Sequence, residues 1–313
     1  MEKLIFKITE IEANQRIDKY LKKQLANAPS SFIYRLFRLK DVKVDTKKVD
    51  QNYIIQDGEE ISIFLSKQQK EDFIVAYEFR PVLLRADIIF ENDDLLVVNK
   101  PTGLLVHSDI NEQEDTLANQ VLTYLNNKSE FKPANRGYVP SPIGRIDKNT
   151  SGLVIFAKKQ EVNQLLSKAL HDNTVERLYL TLVHGQTDHK GKINYALSKE
   201  VNNRGLVFVD ERGKPSVTHY KLLKDYGDYS LLEVKLETGR SNQIRVHLAH
   251  IAHPIVGDEK YGKRGQFSTL CLHHYKMKFY NMEGTLSYLN DKELSAPLPS
   301  DFDQILQEIE ERK

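Results

Sequence analysis

The sequence predicts an α+β fold, and three observations carry that prediction. Short runs in which apolar and polar residues alternate recur along the chain and read as strands. Only a few stretches keep the apolar spacing of a helix. The length, 313 residues, suffices for a sizeable core and for two domains. The formal net charge is +1, so a nucleic-acid surface would have to be a local patch. Cys271 is the sole cysteine, which rules out an intramolecular disulfide and suits a reducing, cytoplasmic setting. Met1 to Lys7 lacks the apolar core of a signal peptide, and no apolar run reaches membrane-spanning length, so no membrane contact is expected.

The first module spans about residues 12 to 66, within an N-terminal domain expected over residues 1 to 70. Ile17, Tyr20, Leu21 and Leu25 fall at helical spacing and predict an amphipathic helix over Arg16 to Leu25. Ser30 is expected to cap a second helix, whose apolar stripe is Phe32, Ile33, Leu36 and Phe37. Arg35, Arg38 and Lys40 lie off that stripe. Val42 and Val44 alternate with polar residues, Asp45-Thr46-Lys47 reads as a turn, and Asp57-Gly58 precedes a strand through Ile61, Ile63 and Leu65. From Arg16 to Lys48 ten Lys and Arg residues face three Asp, a cationic cluster that suits a phosphate backbone or a solvated face equally well.

Lys67 to Asp72 is charged and without apolar period, so residues 67 to 86 are expected to be a linker. A larger domain then runs from 87 to 313. Asp87 to Glu91 and Leu95 to Val98 predict a hairpin turning at Asp93-Asp94, and Pro101 and Gly103 a bend after it. Thr116 is expected to cap a helix through Leu117, Val121, Leu122 and Leu125. A Pro-rich loop, Pro133 to Pro142, precedes the polar stretch Gly144 to Gly152, and Leu153 to Ala157 reads as a buried strand. Val162, Leu165, Leu166, Ala169 and Leu170 mark a helix. Arg177 to Val183 is predicted as a strand, with Val217 to Leu223 and Tyr229 to Leu236 as a pair. Ile244, Leu248 and Ile251 supply the apolar face of a last helix that holds Arg245 near its start.

Four strings resemble known families. Arg16-Ile17-Asp18-Lys19-Tyr20-Leu21, with Ser31-Phe32-Ile33-Tyr34-Arg35 and Val42-Lys43-Val44, is similar to the S-four domain, an RNA-binding module first described in a small-subunit ribosomal protein. That similarity implies RNA contacts from Arg16, Lys19, Arg35, Arg38 and Lys43. Gly144-Arg145-Ile146-Asp147-Lys148-Asn149-Thr150-Ser151-Gly152-Leu153 resembles the catalytic motif of the RluA family of pseudouridine synthases, usually His-Arg-Leu-Asp-x-x-Thr-Ser-Gly-Leu. Lys100-Pro101-Thr102-Gly103-Leu104 resembles the string that precedes that motif. Thr238-Gly239-Arg240-Ser241-Asn242-Gln243-Ile244-Arg245 resembles its Thr-Gly-Arg-x-His-Gln-Ile-Arg block, with Asn242 for the His.

The resemblance implies a catalytic domain built on a long, mainly antiparallel sheet with a central cleft. It implies an isomerase acting on RNA, with large-subunit ribosomal RNA as partner, Asp147 as nucleophile, Arg245 paired with it and Tyr179 beside them. Arg145 would help to hold a flipped-out uridine. The reaction detaches uracil from ribose, turns it and rejoins it through carbon 5, so no redox change and no cofactor are required. A carboxylate nucleophile must be ionised, which a close guanidinium favours. Tyr179 offers a ring to stack on the base and a phenol that could accept the carbon 5 proton if its pKa were suitably perturbed.

Other readings compete. A transfer-RNA or dual-substrate enzyme uses the same residues, and a non-catalytic RNA-binding or ribosome-assembly factor would share the fold. His247, His250 and His253 invite a metal hydrolase, but steps of three turn the first and last imidazoles apart on a helix, and His253 precedes Pro254. No metal site is expected. Cys271 and His273 alternate onto one face of a strand-like run and read as structural. A monomer is expected.

Overall fold

The protein is described by a computed structural model over residues 2–74, 81–109, 112–131, 138–200, 205–262 and 265–312. The N-terminal part comprises β1 (Glu2–Lys7), β2 (Gln15–Arg16), α1 (Ile17–Gln24), α2 (Ser30–Arg38), β3 (Lys43–Val44), β4 (Lys47–Lys48), β5 (Ile54–Ile55), β6 (Glu60–Leu65) and α3 (Lys67–Phe73). Its four-stranded sheet runs β1-β6-β3-β4. Ile17, Leu21, Ile33, Ile61 and Ile63 are fully buried in a hydrophobic cluster of its own. Asp45 and Thr46 both take positive φ, the geometry that joins a tight hairpin.

Three expectations change here. The chain enters α2 at Pro29, whose carbonyl already accepts from the Phe32 N–H; Ser30 is the first helical residue and caps nothing. The stretch expected to be a linker forms α3. No residue of α3 is buried, so apolar periodicity could not reveal it; its signal is the capping box of Ser66 and Gln69. Phe73 at its end packs on Phe32 with ring centroids 4.8 Å apart. β1, which pairs along its whole length with β6, is a strand the spacing did not predict, inside the domain expected over residues 1 to 70.

The rest is built on β7 (Asp87–Glu91), β8 (Leu95–Lys100), α4 (Leu117–Asn127), β9 (Ser141–Ile143), β10 (Ser151–Ala157), α5 (Gln160–His171), β11 (Val175–His184), β12 (Lys190–Asn194), β13 (Leu197–Lys199), β14 (Val207–Val209), β15 (Val217–Asp225), β16 (Tyr229–Leu236), α6 (Gln243–His250), β17 (Leu272–Phe279), β18 (Glu293–Ser295) and α7 (Ser300–Glu311). Among the described residues one sheet holds ten strands in the order β12-β15-β16-β11-β17-β10-β8-β7, with β9 on β10 and β18 on β17. Of the Pro-rich stretch expected to be a loop, residues 133–137 lie outside the described residues, and Pro142 sits in the short strand β9.

The apolar runs of β8 and β10 are buried on both faces. Leu95, Val97, Leu153, Ile155 and Ala157 meet Val162 and Leu166 of α5. Leu96, Val98, Val154 and Phe156 meet Leu117, Val121 and Leu125 of α4. A continuous apolar run, in place of strict alternation, is what a strand covered on both sides requires. The sheet's one parallel pairing among the described residues joins β10 to β17 in its middle. There Gly152, at φ +113°, lies so close to the His274 backbone that a Cβ would sit 2.3 Å from its carbonyl oxygen. Only glycine fits that approach.

Candidate active site

A cleft of about 690 Å³ opens over this parallel seam. Its lining joins the loop before β10 (Gly144 to Lys148), Arg177 and Tyr179 of β11, and Gly239 to Arg245 at the start of α6. Strand order explains the convergence, because β17 separates β10 from β11 by a single strand.

The loop before β10 is pinned from beneath. Ile146 packs against the two clusters on either side of it. Lys100 is fully buried, and its ammonium donates to the carbonyls of Pro101 (2.8 Å), Leu104 (2.8 Å) and Lys148 (2.9 Å). Burial pulls its pKa down to about 7, against the attraction of Asp147. Gly103 adds a backbone bond to the Lys148 carbonyl, 3.0 Å. Gly144 takes φ +74° with only Leu170 close to it, so the turn is built from a residue that reaches this region without strain.

The Asp147 carboxylate, 30% exposed, points into the cleft, and Arg245 Nη1 lies 3.3 Å from its Oδ2. Arg245 is itself clamped by Asp258, with Nε to Oδ2 at 2.8 Å and Nη2 to Oδ1 at 2.7 Å. Asp258 is 1% exposed. Burial pushes its carboxyl up, but the Arg245 guanidinium and the backbone N–H groups of Tyr261 and Lys260 outweigh this and hold it below the usual carboxylate range. The guanidinium also lies over the Tyr261 ring at 5.2 Å.

Asn242 completes the ring around Asp147. With its amide oriented to satisfy both ends, its nitrogen donates to Asp147 Oδ2 (2.7 Å) and Oδ1 (3.1 Å), and its oxygen accepts from Tyr261 Oη (2.9 Å) and Lys260 Nζ (3.2 Å). Tyr179 stacks on His274 with ring centroids 4.4 Å apart and planes 13° from parallel. The β11–β17 register shifts between Leu178 and Tyr179, which sets Tyr179 opposite His274. Burial pushes the Tyr179 phenol up to about 12. That is the wrong direction for a proton acceptor, so the resting phenol is neutral.

Asp147, Tyr179 and Arg245, expected together, are brought to one cleft. Arg145 lies beside them, exposed, with no hydrogen bond or ion pair to another described residue. It is therefore not the partner of Asp147, although two positions away. In the N-terminal part Lys19, Arg35 and Arg38 are exposed and Lys43 is half-buried. Arg16 instead commits its guanidinium to Asp18 at 3.0 and 2.9 Å.

The sequence reading missed Asp258 and Tyr261 as site residues. Their signal was present in the string Gly257-Asp258 and Tyr261-Gly262, where an Asp next to glycine precedes an aromatic residue. Among the described residues no group of three His, Cys, Asp or Glu side chains is arranged to hold a metal ion. His247 lies 2.9 Å from Thr218 Oγ1 and 3.0 Å from the Tyr195 carbonyl, and His253 lies 3.0 Å from the His184 carbonyl. No helix of the described residues is long and apolar enough to cross a membrane.

Residues 94–250 match the family model of RNA pseudouridylate synthase. An RNA pseudouridine synthase of Bacillus subtilis is 32% identical over 312 residues, covering 99% of each chain. The ribosomal large subunit pseudouridine synthase C of Vibrio parahaemolyticus is 32% identical over 314 residues, covering 96% of this chain and 94% of that one. Among solved structures, human RNA pseudouridylate synthase domain containing 4 superposes with a TM-score of 0.57 at 21% identity, over 72% of this chain and 93% of its own, a likeness of fold. The chain belongs to the RNA pseudouridylate synthase family and is an isomerase of that class.

Proposed function

We propose that this enzyme isomerises specific uridines of large-subunit ribosomal RNA to pseudouridine, with Asp147 as the nucleophile. The observation that carries the reading is a cleft-facing carboxylate held between a clamped guanidinium and an amide, beside a buried aromatic ring. The name of the Vibrio parahaemolyticus relative, which specifies the large ribosomal subunit, supports the choice of RNA.

In this reading the uridine leaves its stack and enters the cleft. Asp147 adds to the nucleotide, at carbon 6 of the base or at the sugar, and the glycosidic bond to nitrogen 1 breaks. The base turns, carbon 5 joins the ribose, the carbon 5 proton passes to water while nitrogen 1 takes a proton up, and Asp147 is released, so the product is an isomer of the substrate. Arg245 faces the Asp147 carboxylate with its guanidinium at the start of the cycle. Tyr179 stacks on the base and, as a neutral phenol, donates a hydrogen bond. Arg145, exposed at the cleft edge, grips a phosphate or fills the vacated stack. The N-terminal part is the RNA-binding domain, with Lys19, Arg35, Arg38 and Lys43 on the backbone and Arg16 shaping the surface through Asp18.

Tritium release from RNA carrying carbon 5-labelled uridine tests the nucleophile. Asp147→Asn should abolish release while RNA binding persists, because the amide has a similar shape and is a poor nucleophile. Near-normal release would overturn the assignment. Mapping pseudouridines in cells with and without the protein tests the substrate, and losses confined to transfer RNA would overturn the ribosomal reading.

A further inference from the structure

We infer that Asn242 is a positioning residue for Asp147, the last link of a hydrogen-bond chain whose direction is set by the backbone of β14. The inference rests on Asp147 being the nucleophile. The chain begins at Val207, whose N–H donates to Tyr261 Oη at 3.0 Å. Tyr261 in turn directs its proton to the Asn242 oxygen, which also faces the donor-only ammonium of Lys260. The amide nitrogen is thereby left facing Asp147, with both carboxylate oxygens in reach at 2.7 and 3.1 Å. The reverse orientation would offer Arg245 Nη1 an acceptor at 3.4 Å but press that oxygen against the carboxylate at 2.7 Å, and the shorter contact decides the orientation.

Two further observations separate this from an ordinary packing contact. Asn242 stands at the N-cap of α6 with left-handed backbone angles, φ 53° and ψ 18°, and makes no side-chain cap bond. An Asn at a helix N-cap ordinarily spends its side chain on the helix; here it is spent on Tyr261 and Asp147. Arg245, meanwhile, has two nitrogens committed to Asp258 and reaches Asp147 only at 3.3 Å. Among the described residues the shortest side-chain contact to the Asp147 carboxylate therefore comes from a neutral amide. The guanidinium supplies charge, the amide supplies aim, and the amide is held in turn by a tyrosine anchored on a strand.

The test compares single-turnover rates and half-saturating RNA concentrations for the wild type, Asn242→Gly, Asn242→Asp, Tyr261→Phe, the Asn242→Gly/Tyr261→Phe double variant and Asp147→Asn. The probe is unmodified large-subunit ribosomal RNA transcribed with carbon 5-tritiated uridine. Glycine accepts the left-handed backbone, so Asn242→Gly removes the amide without strain. Asn242→Asp keeps the shape and the backbone preference but turns the donor into a second anion. Asn242→Gly should slow the single-turnover rate by roughly 10- to 100-fold, with half-saturation unchanged within about twofold. Asn242→Asp should be slower still. Tyr261→Phe should cost less and add nothing in the Asn242→Gly background, since it acts through the amide. A near-wild-type rate for both Asn242 variants while Asp147→Asn is dead would overturn the positioning role and leave the nucleophile standing. Turnover by Asp147→Asn would overturn both. Additive losses from Tyr261→Phe and Asn242→Gly, or a loss seen only in half-saturation, would also overturn the chain.

Discussion

Arg245 divides its guanidinium unequally, and this changes what its removal tests. Arg245→Met takes away the charge beside Asp147 but also strands Asp258, which is 1% exposed, as an unpaired buried carboxylate. Losing one partner of a buried pair costs about 3 to 5 kcal/mol. Arg245→Met is thus expected to lose stability by about that amount as well as turnover. Adding Asp258→Asn removes the stranded charge while its oxygen still accepts from Lys260 and Tyr261. The double variant should recover much of the stability in a denaturant melt and none of the turnover in tritium release. Recovery of turnover would mean that Arg245 acts only by neutralising Asp258.

The element on which the site depends is β17, wedged between β10 and β11. His273 and His274 face opposite sides of it and both are buried. His273 sits between Ser151 Oγ and the Ala296 carbonyl, and His274 Nδ1 donates to the Leu153 carbonyl under the Tyr179 ring. Burial pulls their pKa values down, His273 to about 4 against the Ala296 carbonyl, and His274 to about 3 against the Leu153 carbonyl with Arg177 adding to the fall. In the unfolded chain both titrate near about 6.5. The unfolded state therefore binds more protons between those values. The stability from each imidazole is complete above the unfolded pKa and is lost as pH falls toward the folded one. Between pH 7 and pH 5 the loss is about 2 kcal/mol per histidine. His274→Phe keeps a ring for Tyr179 to stack on and should flatten the pH dependence of stability by about one proton. Melts at the two pH values check this, and an unchanged slope would mean that the His274 ring accepts a proton without unfolding.

On the scale of the whole molecule, the N-terminal part holds the densest run of Lys and Arg and meets the N-terminal end of α5. Gln160 donates its N–H to the Ile11 carbonyl at 2.9 Å, Lys23 reaches Gln160 Oε1 at 2.6 Å, and Asn14 reaches Glu161 at 3.2 Å. None of these contacts touches the cleft. Removing residues 1 to 70 should therefore weaken RNA binding and its salt dependence while the chemistry survives. Each phosphate that is no longer neutralised should reduce the slope of log affinity against log salt by about 0.7 to 0.9. Salt titrations of the full chain and the truncated one measure this, with single-turnover rates at saturating enzyme beside them. An unchanged slope would mean that the cluster is only a solvated face; a folded but inactive truncation would mean that it helps to build the site.

Local spacing was enough to read most strands and helices, because alternation and the three-to-four-residue stripe are properties of neighbours in the chain. Leu153 to Ala157, Gln160 to His171 and Tyr229 to Leu236 were legible in that way. α3 was not, since a helix with no buried residue leaves no stripe. Asp147, Tyr179 and Arg245 could be named because their strings resemble a family, whereas their partners could not. Arg145 stands two positions from Asp147 and makes no pair with it; Arg245, 98 residues away, does. The clamp from Asp258, the amide of Asn242 and the imidazole under Tyr179 were likewise decided only by folding. Coulomb attraction and hydrogen bonding act over a few ångströms of space, and the order of strands in the sheet determines which distant residues come within that reach.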